Sequence, residues 1–201
     1  DADLREKVIK CLDLKINNGF YEFFSSVYFP YTLSGLLNLV DFSQDEEIRN
    51  KAKLATNRLL KEVLMLANDK GVLFPASGRN YPGKFSSPYN QNHNDIIYLL
   101  TGLGQSSGKS HAAAFLATST LDVKDIVNSW KEKENTFLTM GQPLDQTKSV
   151  LEGLSSVDQT IFQWSAGIYL HPDFALETAT LINDYNLWDH KEFKTFTLFK
   201  G

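Results

Sequence analysis

Residues 74–94 gather one guanidinium, several amides, two phenols and an imidazole: Arg79, Asn80, Tyr81, Tyr89, Asn90, Asn92, His93 and Asn94. That mixture suits a sugar-binding surface. Aromatic faces stack on the apolar face of a pyranose, while amides and a guanidinium read hydroxyls or a carboxylate. The competing reading is a solvated loop held by Asx turns and prolines, with Arg79 paired to a local acid.

A second block, GFYEFFSSVYFPY over 19–31, packs seven aromatic side chains into thirteen residues. Phe20, Phe23, Phe24 and Phe29 are expected in the core. A buried phenol must find a hydrogen-bond partner, so Tyr21, Tyr28 and Tyr31 are expected at a cleft wall. Glu22, among aromatic neighbours, is costly to bury ionised unless paired. It therefore faces water, meets an arginine, or takes a raised pKa suited to acid–base work. No G-x-S-x-G elbow supports a serine nucleophile. Trp164, Tyr169 and His171 form a weaker third set, with Trp164 as a sugar platform or a core residue.

One phosphate-loop lookalike fails on register. Residues 102–110 read GLGQSSGKS, but the motif needs four residues between its first glycine and the Gly-Lys pair. Gly104 leaves three and Gly102 leaves five. The dinucleotide fingerprint fails as well, because Ser107 occupies the third glycine position. The expected structure is a flexible turn between helices with Lys109 in solvent.

Composition narrows the classes further. The 201 residues suffice for one domain with a sizeable core, and 42% hydrophobic with 22% charged residues is a globular composition. A net charge of -4 carries no basic stripe to neutralise phosphates, so nucleic acid is not an expected partner. Apolar runs are too short to span a bilayer, so no membrane is expected either. The chain begins at Asp1, as a mature protein or a piece of a longer one would. The single cysteine, Cys11, allows no internal disulfide and reads as a buried structural thiol. Histidines 93, 111, 171 and 190 show no metal-ligand spacing, so no cofactor is expected.

The elements that must position these residues read as helix after helix. Leu4, Val8, Cys11 and Leu12 form an apolar stripe over 3–16. Pro30 suits the first turn of a helix to Phe42, with Leu33, Leu36, Leu37 and Val40 on one face. Ser43-Gln44-Asp45-Glu46 reads as a capping box. It opens a helix to about Asp69, with Ile48, Ala52, Ala55, Leu59, Val63 and Leu66 inward and Gly71 beyond its end. These two helices predict an αα-hairpin. After the loop of 72–93, helices are expected at 94–103, 111–118 and from Asp122 to Trp130, followed by a loop over 131–144. Ser156-Val157-Asp158-Gln159 predicts a helix to Leu170, and His171-Pro172 starts another over PDFALETATLINDYNL. Thr195–Phe199 has strand character but no expected partner. The sum is one all-α domain over 1–201 with about seven or eight helices, a stack of hairpins or a toroid.

The order of motifs resembles a known group. Gly19, Phe20, Glu22, Ser25 and Tyr28 form G-F-x-E-x-x-S-x-x-Y, followed by LLNLVDF, DEEIRNKA, GRNY, FLATST and DQTIFQWSAGIYLHPD. This resembles large, mostly uncharacterised bacterial proteins with an (α/α)-toroid of the kind found in six-hairpin glycosidases and toroidal polysaccharide lyases. The resemblance covers roughly 15–190. It implies an incomplete toroid, a fragment or a reduced relative, acting on a poly- or oligosaccharide, with further domains of a longer chain as other partners. A secreted or periplasmic setting is favoured.

Two function classes follow. As a lyase on uronate polymers, Arg79 would neutralise the carboxylate and Tyr81 or Tyr28 would take the C5 proton, with His93 as the alternative base or acid. As a hydrolase, Glu22 would be the general acid and Asp95 the second carboxylate. In both, Tyr21, Tyr31, Arg79, Asn80, Tyr89, Asn94 and Trp164 would hold substrate. The alternative is a non-catalytic helical module that binds glycan or another domain.

Overall fold

The computed structural model describes residues 2–20, 26–68, 70–71 and 91–131, and the backbone of 137–141, 163–170, 174–182 and 196–198. Among the described residues up to 131 every regular element is a helix: α1 (Ala2–Asn18), α2 (Phe29–Phe42), α3 (Glu46–Leu66), α4 (Asn94–Thr101), α5 (His111–Thr118) and α6 (Lys124–Lys131).

α3 is the central element. It packs against α1, α2 and α6, while α5 covers α2 and also meets α4. The expected faces are the ones that meet. Leu33, Leu36, Leu37 and Val40 of α2 are buried, as are Ala52, Ala55, Leu59, Val63 and Leu66 of α3, with Ile48 at the margin. Pro30 sits in the first turn of α2, where no N–H is needed. Ile96 and Ile97 of α4, Ala112 and Leu116 of α5, and Ile126 and Trp130 of α6 complete the core.

Local details differ from the expectations. α3 is capped by Asp45, whose side chain accepts from the backbone N–H groups of Glu47 and Ile48, and not by Ser43. Ser43 instead closes α2. α3 begins at Glu46, which puts Asp45 at the N-cap position, and Arg5 of α1 also pairs with it at 2.6 Å. α3 ends at Leu66, before Asp69. Cys11 is exposed, not buried, and Leu4 is exposed too. α1 packs on α3 and buries Leu12 and Leu14 instead, with Leu12 in the main core cluster.

The larger difference lies beyond residue 136. β1 (Phe137–Gly141), β2 (Gln163–Leu170), β3 (Phe174–Ile182) and β4 (Phe196–Leu198) form an antiparallel sheet in the order β1-β2-β3-β4. The helices expected to run through 163–170 and 174–182 are strands, and 137–141, expected as loop, pairs with β2. The strand character around Thr195–Phe199 is correct. Its missing partner is β3, with Phe174 opposite Leu198. Ala, Leu and Glu in FALETATLI favour a helix locally, but strand propensity is decided by cross-strand neighbours.

Candidate functional site

The described ends of the two polar-aromatic blocks meet. The Asn92 backbone N–H donates to Ser26 Oγ at 2.9 Å, and Asn92 Nδ2 donates to the Ser26 carbonyl at 2.6 Å. One turn further, the Phe29 and His93 rings lie 4.4 Å apart. The start of α2 and the start of α4 are therefore joined by a polar bridge and a ring contact.

Beside this junction lies a cleft of about 210 Å³. Val27 and Pro30 supply its apolar part, and Asn92 and Asp95 border it from the side of α4. Tyr31 is 65% exposed, and its ring lies 5.0 Å from that of His111. Ser107, Lys109 and Ser110 complete the wall. Lys109 makes no ion pair with any described residue.

The wall is held by Asp95, itself only 5% exposed. Oδ1 accepts from Ser106 Oγ at 2.9 Å and from the Ser107 N–H at 2.5 Å. Oδ2 accepts from Ser107 Oγ at 2.9 Å and the Ser110 N–H at 2.8 Å. Burial pushes the carboxyl up, but these bonds outweigh it and hold it below the usual carboxylate range. With its lone pairs taken, Asp95 is a structural anion and does not suit the role of a hydrolytic base. The turn of 102–110 is accordingly anchored, not flexible. Its far end is fixed too: Gly71 and Gly104 touch backbone to backbone, and a Cβ on Gly104 would lie 2.5 Å from the Gly71 oxygen.

Several expected residues can be placed. Tyr31 borders the cleft. Tyr28 is half-buried at the start of α2, where its carbonyl accepts the Thr32 N–H. His93 is fully buried, and its carbonyl accepts the Ile96 and Ile97 N–H groups at the start of α4. That burial makes it a packing residue, sealed from a diffusing substrate in this conformation. Asn94 is 4% exposed and equally enclosed. Trp164 lies on β2, paired with Leu181. Tyr21, Glu22, Arg79, Asn80, Tyr81 and Tyr89 lie outside the described residues.

Lys109, Ser110 and His111 are the members that sequence reasoning missed. Their signal was Ser110 ahead of a short apolar helix, an N-cap pattern. Its Oγ accepts from the Ala113 N–H at 3.4 Å. Among the described residues no group of three or more His, Cys, Asp or Glu could hold a metal ion, and no helix is long and apolar enough to cross a membrane. Compared with known protein families, curated proteins and solved structures, the chain matches none.

Proposed function

We propose that this chain is a carbohydrate-directed domain whose cleft beside Tyr31 takes one sugar ring of a poly- or oligosaccharide. The carrying observation is Tyr31: a large aromatic side chain left 65% exposed, at the edge of a cleft with polar walls. An exposed ring offers a stacking face for the C–H side of a pyranose, and Lys109, Ser110 and Asn92 supply polar groups for its hydroxyls or carboxylate. The volume supports a small ligand unit. About 210 Å³ lies below the ~300 Å³ at which pockets for drug-sized ligands begin.

The binding-module form of this reading is favoured over hydrolysis. A glycoside hydrolase needs two working carboxyl groups, and the carboxylate that borders the cleft, Asp95, is saturated by its own loop. A lyase needs a cation and proton carriers instead. Lys109, Tyr31 and His111 would supply them, which keeps uronate elimination as the second reading. The (α/α)-toroid belongs to the same proposal, supported by the α2–α3 hairpin with α5 and α6 laid against it.

The test is calorimetric titration with alginate, heparin-type and pectic oligosaccharides. Wild type is expected to bind at least one of them, and Tyr31→Ala to weaken it at least tenfold. Absence of binding by wild type to every saccharide sinks the reading. Growth of an unsaturated-product absorbance during the titration would decide for the lyase form.

A further inference from the structure

We propose that Asp95 is the positioning residue of this cleft, holding Lys109 and His111 in place through Ser107 and Ser110. Asp95 stands in the first turn of α4, whereas the residues it holds span the 106–110 segment that leads into α5. That segment carries Lys109 at its tip and His111 at the next helix start. Two backbone N–H groups are gripped by different carboxylate oxygens: Ser107 by Oδ1 and Ser110 by Oδ2. Two hydroxyls, from Ser106 and Ser107, add one bond to each oxygen.

This division of donors makes the residue type decisive. An amide has one acceptor oxygen and one NH2 group, which can only donate. In either orientation an asparagine at 95 would turn its NH2 toward one of the two backbone N–H donors. It can keep the Ser107 bond or the Ser110 bond, never both. A hydroxyl can rotate to suit a new partner, but a backbone N–H cannot. Only a carboxylate serves all the donors at once, so Asp95 stands where the wall requires two acceptor oxygens. The contact of Gly104 with Gly71 holds the other end of the turn. The wall is therefore formed before any ligand arrives, which lowers the ordering cost of binding.

The ligand side of this inference rests on the saccharide reading; the clamp does not. Asp95→Asn is expected to raise amide exchange at Ser107 and Ser110 at least tenfold, with the core amides of α2 and α3 unchanged. Unchanged exchange at both positions overturns the proposal. With the saccharide that wild type binds, Asp95→Asn is expected to lose about tenfold in affinity. Adding Lys109→Ala to it should then lose less than Lys109→Ala does in wild type, because the lysine is already misplaced. Full additivity overturns the positioning role. If Asp95→Asn does not fold, wild type itself is read: Ser107 and Ser110 amides exchanging at least tenfold more slowly than in an unstructured peptide support the clamp, because Asp95 is their acceptor. Exchange at the unstructured rate at both positions overturns it. Failure of every saccharide to bind wild type would remove the function, while the exchange result would still judge Asp95.

Discussion

Asn92 holds Ser26 at two points, through its backbone N–H to the hydroxyl and through its side-chain amide to the carbonyl, across 66 positions of sequence. This bridge sets the starts of α2 and α4 side by side and so creates the cleft. Ser26→Ala leaves the Asn92 N–H without its acceptor. We expect a loss of ~1–3 kcal/mol, read from the urea midpoint. An unchanged midpoint would show that the bridge adds nothing to the fold.

The glycines separate by their surroundings. Gly71 has φ +71°, and a Cβ there would lie 2.5 Å from the Leu103 carbonyl carbon; Gly104 has φ +86° and faces Gly71. Alanine at either is expected to cost ~1–3 kcal/mol in backbone strain. Gly35, exposed in the middle of α2 with open space around it, is the control. Gly35→Ala should stabilise by ~0.5–1 kcal/mol. Thermal midpoints moving in one direction for all three would refute the distinction.

Glu62 bears on stability at neutral pH. Its Oε1 accepts from Arg58 Nε at 2.7 Å, but Oε2 is buried without a hydrogen-bond partner among the described residues. Burial pushes its carboxyl above the ordinary 4.5, although Arg58 pulls the other way. A raised folded pKa means that the folded state holds the proton more tightly. This contribution is complete below 4.5 and is lost as pH rises through the folded value. Glu62→Gln should therefore equal or exceed wild type in thermal midpoint at pH 7, with the advantage fading in acid. A lower midpoint at pH 7 would show that the Arg58 ion pair outweighs burial.

Asp95 and Asp41 carry the opposite sign. Burial raises both, but loop donors win: Ser106, Ser107 and Ser110 on Asp95, and Thr120 and Ser119 on Asp41, with Lys53 adding attraction. Their folded values lie below the ordinary 3.8, so their stabilisation is present above it and is lost as pH falls through the folded values. These two carboxylates hold the segments at either end of α5. Acid titration should release the amides of Ser107, Ser110 and Thr120 before those of α3. Simultaneous release of all of them would contradict this.

Much of the helical fold was legible in the sequence. The spacing of Leu33, Leu37 and Val40, and of Ala52, Leu59 and Val63, states which face of α2 and of α3 turns inward. It does so because burial on a helix repeats every three to four residues and needs no knowledge of the partner. Pro30 and the apolar run after Ser110 marked helix starts for equally local reasons. Of the phenols expected at a cleft wall, Tyr31 does stand at a cleft.

Tertiary structure decided what depends on distant partners. Residues 163–170 and 174–182 are strands because each finds a neighbouring strand to pair with, which helix-favouring residues such as Ala175, Leu176 and Glu177 do not announce. Asp95 had the look of a catalytic carboxylate until its donors came from a turn eleven to fifteen positions on. Lys109 is exposed and His111 opens α5, as expected; what the sequence did not show is that both border one cleft beside a turn gripped by Asp95. Periodicity is written within one element, whereas hydrogen-bond satisfaction is settled between elements, where the chain has brought them together.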